Sequence, residues 1–506
     1  MSNTKKMTWV RESGFIFAMI GSAVGFGNIL AFSGQCYRNG GGAFLIPYLA
    51  AIIIIGLPML LLEGIIGKKY GLPITGAYGR VLPKTWKIFG WIAALSCLTI
   101  GSFYSVLTSW SVAYTYFSAT NQIASDSAHF FQVDFLRDSG NLLDFGGISW
   151  VIFVSTILVA LFTWLVTAKN IGDGVEKVCA IFMPLLFLLV SLFSIVVCFL
   201  PGAFDGFYYY LAPDFSKLAD FRLWRDVFGQ VFFTYSLGIG IVVGYARHTK
   251  PETNLKRAMV YVAVGDVVIS VIAGFALFGC VGFMSRMTGT AFHDIIKSNG
   301  TFEMGFIVFP QILQVFAAWL RPIIGTLFFF CVFIAGITGV FSIVESVAGN
   351  FEVEFKLSRK KAVGISIILM LGLSVFFCMG NATHLLGALG PMVLGYTFLI
   401  GGIAQIIAFS YLDNSLRLES VFLNRKGQTS WLFYCAKYVG LPFLVVSLLG
   451  ALWEESQEVL GAVHLIRWAW FMLVLILSFY LTYRPHRLTS NTPSAHDRCN
   501  IRDNAR

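Results

Sequence analysis

The sequence predicts an all-α, polytopic membrane protein of about twelve transmembrane helices, and three observations predict it. Of the 506 residues, 57% are hydrophobic and only 12% charged, with a mean hydropathy of +0.76. Soluble domains carry about 25% charge, and no arrangement of soluble domains hides that much apolar surface. Windows of about 20 residues resolve twelve apolar stretches joined by polar segments. Lysine and arginine gather in alternate segments, the asymmetry that orients a chain in a bilayer.

The elements follow in chain order. Residues 1–12 form a basic, polar segment with Lys5, Lys6 and Arg11 and no small-residue cleavage site, so no removable leader is expected. Span one, 13–37, has no charged residue; at 1.5 Å per residue it reaches about 38 Å, enough for a hydrocarbon core of about 30 Å. Span two, 42–66, is followed by Lys68, Lys69, Arg80, Lys84 and Lys87. Span three, 88–118, is long enough to need tilt or to project. The next loop is acidic, with Asp126, Asp134, Asp138 and Asp144, before span four at 148–168. Span five, 178–199, is entered through the polar segment Lys169 to Lys177 and contains Pro184, a helix-weakening residue that lets its inner end open.

Spans six and seven, 224–246 and 258–284, enclose Lys250, Lys256 and Arg257. Span eight, 320–352, is again long, and Lys356, Arg359, Lys360 and Lys361 separate it from span nine at 362–380. Span ten is 384–411, span eleven 431–452, and Glu454, Glu455 and Glu458 precede span twelve at 463–483. Arg484, Arg487, Arg498 and Arg502 lie at the end. Both termini are therefore expected in the cytoplasm of a cell-membrane protein. The net charge of +10 is a topology signal, and no nucleic-acid partner is expected.

Enzyme chemistry finds no support. The nine cysteines are scattered singly, without CxxC or a Cys/His cluster, which argues against a disulfide framework or zinc site. The histidines at 129, 248, 293, 384, 464, 486 and 496 fall in loops, at span ends or in the tail. Neither HExxH nor GxxxxGK[ST] occurs. The sequons at Asn299 and Asn381 are short enough to arise by chance.

Two spans are damaged at their centres. SAVGFGNILAFSG, 22–34, places Gly25, Gly27 and Asn28 inside span one, and FFTYSLGIGIVVG, 232–244, places Thr234, Ser236, Gly238 and Gly240 inside span six. These are equivalent positions if the first ten spans form two groups of five. A single glycine-rich span is explained by close helix packing. Two matched breaks carrying hydroxyl or amide side chains point instead to a site, because unwound backbone at membrane depth persists only where it is buried or lines a cavity. The carbonyls ending one half-helix suit a small cation, and the amides starting the other suit an anion. This pattern marks a transporter's binding site.

At these residues WVRESGFIFAMIGSAVGFGNILAFSGQCYRNGGGAFLIPYL resembles the opening of a neurotransmitter:sodium symporter. The likeness continues in GLPMLLLEGIIGKKYG, GQVFFTYSLGIG, AGITGVFSIVESV and KLSRKKAV, in register through span nine. It is similar above all to prokaryotic sodium-dependent amino acid transporters of the bacterial leucine transporter type. The resemblance implies a transport core at 13–411, with inverted repeats at 13–199 and 224–411. Two further helices within 412–484 and a cytoplasmic tail at 485–506 complete that organisation. It also implies Na⁺-coupled import of an amino acid by alternating access, spans one, two, six and seven rocking against the rest. A non-transporting sensor or channel on the same fold stays open as the alternative.

The resemblance further assigns roles. A first Na⁺ site would use the carbonyl of Ala23 with Asn28, Thr234 and Asp266, the substrate carboxylate completing it. Many members have asparagine at the position of Asp266, a lone carboxylate in mid-span that is functional by default. A second Na⁺ site would use Gly21, Val24, Ala335 and Thr338, one ligand short because Gly339 replaces the usual serine; one or two ions are therefore implied. The amides around Ala23 and Gly27 and the phenol of Tyr104 would hold the substrate carboxylate. Ser22, Phe26, Ile100, Phe233, Ser236, Ile239, Gly339 and Ile343 would shape the pocket, with Phe233 as its lid.

Monoamine carriers of the family place an aspartate where this chain has Gly25, so the substrate is expected to bring its own carboxylate. An apolar or aromatic amino acid is favoured. Tyr48, Gln230, Thr234 and Ser270 resemble the chloride-holding set of dependent members. Asp266 could supply the negative charge instead, and chloride is expected to be dispensable. The usual outer gate pair is missing, with Ala31 in span one and Gly387 near the span-ten position. At the inner gate Lys6 stands for an arginine, Val353 for the usual acid, and Arg247 and His248 for small or tyrosine positions, with Glu352 or Glu354 offered to Lys6. Glu63 is read as capping amides beside the second break, and Glu345 as lying toward the cytoplasmic half. The amino acid's identity and the oligomeric state are not legible.

Overall fold

A computed structural model describes residues 7–297, 304–314, 316–424 and 426–484. Lys5, Lys6, Asn299, His486, His496, Cys499, Arg487, Arg498, Arg502 and the expected tail lie outside the described residues. Ten helices among those described are long and apolar enough to cross a membrane. They are Gly42–Tyr70, Lys84–Ala119, Trp150–Thr167, Val175–Cys198, Leu255–Thr288, Arg321–Phe355, Arg359–Cys378, Ala382–Leu412, Trp431–Gln457 and Ala462–Tyr483. These correspond to spans two to five and seven to twelve. Span one is the bent pair Glu12–Ala23 and Gly27–Arg38, and span six is Phe221–Thr234 followed by Ile241–Ala246, each half too short to cross alone.

Local chemistry sets the ends. Asn254 caps span seven by accepting the Arg257 amide at 3.0 Å, and Gly289 closes it at φ +70°. Gly71 ends span two in the same left-handed conformation. Spans three and eight share an extended interface at the centre of the bundle. The most apolar window of span three is 83% buried, against 22% for span twelve, which presents leucine, isoleucine and aromatic side chains outward to lipid.

Both breaks are built by their own sequence. In span one, Val24 leaves the helix for an extended conformation at φ −81° and ψ 108°, and the halves diverge by 58°. The Asn28 side chain reaches back to accept the Gly25 amide at 3.0 Å, satisfying a donor that the missing turn would have used. In span six the chain turns through Ser236, Gly238 and Gly240, at φ +51°, +87° and +76°. Any Cβ at Gly238 would collide with the carbonyl of Phe398 in span ten, so glycine is required there on two counts. Glu63, fully buried in span two, accepts the Gly238 amide at 2.6 Å.

Candidate functional site

The two breaks face each other, and a knot of oxygen atoms joins them. The Thr234 hydroxyl lies 3.4 Å from the Ala23 carbonyl, 3.3 Å from Asn28 Oδ1 and 2.8 Å from Asp266 Oδ1. Asn28 Nδ2 donates to Asp266 at 2.6 Å. The four residues expected at the first Na⁺ site, from spans one, six and seven, are thus brought together. Asp266 is fully buried. A carboxylate among neutral oxygens gives the hard donor set that a small monovalent cation prefers.

At the expected second site, a Cβ on Gly21 would lie 3.0 Å from Thr338 Cβ, so spans one and eight touch there. The Thr338 hydroxyl is 3.0 Å from the Ile334 carbonyl and 3.2 Å from that of Ala335. Val24 is buried at the end of the first half-helix. A Cβ on Gly339 would meet the Tyr104 ring at 2.9 Å, so a serine ligand there would displace that ring.

A cavity of about 370 Å³ lies between the breaks and runs toward the end of the bundle where span ten begins. This volume suits a small organic molecule. Its lining includes Ser22, Ala23, Phe26, Gly27, Ile100, Tyr104, Phe233, Thr234, Ser236, Ile239, Gly339 and Ile343, all expected from the sequence. Among the described residues no charged side chain lines it. The Phe26 amide donates to the Tyr104 hydroxyl at 3.4 Å, and a Cβ at Gly25 would collide with that hydroxyl, so any side chain at this position requires Tyr104 to shift. Phe233 sits directly over Gly27, its Cε1 2.5 Å from where a Cβ would be.

Sequence reasoning missed Phe103 and Leu107, which share a helix face with Ile100 and Tyr104 at spacings of three and four. It also missed a span-ten stripe, Thr383, Leu386, Gly390, Leu394 and Phe398, again at helical spacing. Gly387 belongs to that stripe, and a Cβ added to it meets nothing within 4 Å.

The residues resembling a chloride site converge on Asp266. Tyr48 donates to its Oδ2 at 3.3 Å and Thr234 to its Oδ1 at 2.8 Å, while Asn28 Nδ2 donates to Ser270 at 2.8 Å. Gln230 is buried, and its Nε2 has no hydrogen-bond partner among the described residues.

The opposite end of the cavity is sealed. Arg247 lies 3.0 Å from Glu345 and 2.9 Å from Glu352, and Arg359 pairs with the same two acids. His248 Nε2 is 2.9 Å from Glu345 and its Nδ1 is 3.1 Å from the Met7 carbonyl. Burial and the Arg247 charge hold the imidazole below its ordinary range. The N-terminal segment closes over this network. The Trp9 indole donates to the Tyr245 carbonyl at 3.0 Å, and the Trp9 amide to the His248 carbonyl at 3.1 Å. Glu176 accepts the Val10 and Arg11 amides at 2.7 and 3.0 Å, and Lys250 donates to the Val10 carbonyl at 2.9 Å. Lys6, offered to Glu352 or Glu354, lies outside the described residues; among those described, Glu352 pairs with Arg247 and Arg359, and Glu354 with Lys87 at 2.7 Å.

Comparison with known proteins agrees with this geometry. The family model for the sodium:neurotransmitter symporter family matches residues 6–128 and 120–484. An uncharacterized sodium-dependent transporter of Methanocaldococcus jannaschii is 34% identical over 83% of this chain and 84% of its own. The sodium-dependent dopamine transporter of Bos taurus is 24% identical over 97% of this chain and 76% of its own. The crystal structure of MhsT in complex with L-phenylalanine superimposes with a TM-score of 0.73 at 26% identity, over 88% of this chain and 99% of that one.

Proposed function

Because the chain belongs to the sodium:neurotransmitter symporter family, we propose that it imports an apolar or aromatic amino acid by Na⁺-coupled symport, with both termini in the cytoplasm. The carrying observation is the position of Asp266. It is buried with Asn28 and Thr234 at the edge of a cavity whose described lining carries no charge. A cation drawn to Asp266 would sit where the substrate's carboxylate completes its coordination. Each ligand then stabilises binding of the other, which is coupling in its thermodynamic sense. The uncharged wall of Phe26, Ile100, Phe103, Ile239 and Ile343 favours an apolar side chain, and the L-phenylalanine bound by MhsT supports that class.

Residues Gly21, Val24, Ala335 and Thr338 would hold a second Na⁺. Asp266, already facing Tyr48 and Thr234, would make chloride dispensable. In the transport cycle, closure of Phe233 over the substrate would precede release of the Arg247–Glu345–Arg359 network on the cytoplasmic side. The test is uptake into liposomes under an inward Na⁺ gradient, with labelled L-phenylalanine first and a panel of amino acids after it. Accumulation above the external concentration, abolished by Na⁺ removal, is expected. Equilibration without accumulation would mark a channel and overturn symport.

A further inference from the structure

One buried ion pair lies outside the sites described above. Arg467, five residues into span twelve, is buried, and its Nη1 lies 2.7 Å from Glu455 Oε1 near the end of span eleven. Arg467 Nε also donates to the Ala388 carbonyl in span ten at 3.0 Å. The second oxygen of Glu455 accepts the Tyr396 hydroxyl at 2.8 Å, and that hydroxyl is also 2.9 Å from the Ala451 carbonyl. The flanking His464 is 3.1 Å from Glu458. Ala388 and Tyr396 bracket the one wide turn in the cavity-facing part of span ten, Pro391–Tyr396. Pro391 has no N–H to offer the Gly387 carbonyl, and the wide turn reroutes the carbonyls before it. Arg467 thus grips span ten where its own helical bonding is weakest.

We infer that Arg467 and Glu455 are positioning residues that set the outer wall of the substrate path by fixing span ten at Gly387. The residues gripped from behind, Ala388 and Tyr396, alternate with residues that face the cavity, Gly387, Gly390 and Leu394. A charge pair across the path, between the positions of Ala31 and Gly387, cannot form in this chain. The charges that hold the wall stand behind it. A movement of span ten toward or away from the cavity must stretch the Arg467 to Ala388 bond, so breaking the pair changes how open the path stands. This inference rests on the transport reading for its kinetic consequence alone.

The test uses the full chain in liposomes with labelled L-phenylalanine. A Gly387→Cys background adds a second readout through a membrane-impermeant maleimide, scored against the parent with its native cysteines. Arg467→Ala, Glu455→Gln and the volume-matched pair Arg467→Met with Glu455→Leu are compared. The paired apolar replacement removes both charges together and so avoids a stranded buried ion. We expect it to keep the parent's melting temperature, shift the KM for L-phenylalanine at least tenfold, and change the labelling rate of the introduced thiol at least fivefold. Na⁺ half-saturation, read at saturating L-phenylalanine for each variant, should stay within twofold. A stable double variant with parental KM and labelling would overturn the inference, as would shifts in Na⁺ half-saturation as large as those in KM. Failure of the parent to transport would count against the transport reading alone, because labelling reports the wall without uptake.

Discussion

Replacing Asp266 by asparagine removes one charge while keeping shape. The carboxylate accepts hydrogen bonds at 2.6 Å from Asn28, 2.8 Å from Thr234 and 3.3 Å from Tyr48. Bonds to a charged acceptor contribute about 1.5–3 kcal/mol and neutral ones about 0.5–1.5, so the two short contacts lose about 1 kcal/mol each. The larger loss is to the cation. Opposite unit charges about 4 Å apart attract by about 4 kcal/mol at an effective dielectric near 20, and the desolvation of the cation offsets about a quarter of that. A net loss of about 3 kcal/mol remains, roughly a hundredfold in Na⁺ affinity. The assay is a Na⁺ titration of labelled L-phenylalanine uptake by the proposed symporter in liposomes, run with chloride or gluconate. Half-saturation should rise about a hundredfold in Asp266→Asn. The variant, unlike the parent, should gain from chloride, because the donors Tyr48, Thr234 and Gln230 would then face no anion of the protein's own. A half-saturation within threefold of the parent would refute the reasoning.

Three further outcomes are expected. Gly27→Ala puts a methyl 2.5 Å from Phe233 Cε1, so the ring must lift; L-phenylalanine binding should weaken at least tenfold while the melting temperature holds, measured by scintillation proximity. Glu345→Gln strands Arg247 and Arg359 with Glu352 alone; loss of one partner in a buried network costs about 3–5 kcal/mol, visible as a lower melting temperature and faster labelling of a cysteine placed beside Trp9. The third concerns pH. His248, buried beside Arg247, Glu345 and Arg359, titrates below its ordinary range, so below a pH of about 6.5 the opened chain binds more protons than the closed one. Stability of the closed inner side is therefore full above that pH and falls as pH drops through it; melts between neutrality and mild acid should show this slope, flattened in His248→Gln.

Much of the architecture was legible because its signals are local. A charge-free run from Ser13 to Tyr37 announces a span, and the structure runs from Glu12 to Arg38 with its bend at the glycines. The grouping of Asn28, Thr234 and Asp266 was implied by the family resemblance; mid-span burial by itself singled out Asp266. The inner network could not be read. Arg247 and Glu345 are 98 residues apart, and nothing in either helix says which acid an arginine will reach. Glu352 and Glu354 are engaged by an arginine and a lysine from other elements, Arg247 and Lys87. The grip of Arg467 on Ala388 was equally hidden, since the acceptor is a backbone carbonyl that every residue carries.

The seal over the inner side has a consequence for how this region tolerates change. Apart from that of the Trp9 indole, its hydrogen bonds among the described residues fall on main-chain atoms: the Met7 carbonyl, the Trp9 amide, both the amide and the carbonyl of Val10, and the Arg11 amide. Main-chain atoms are indifferent to which side chain they carry, so this strip can drift in composition and still fit. Register is what it cannot lose. Shortening the strip by one residue offsets these contacts together, and the plug would leak although, Trp9 apart, no individual letter in it was essential.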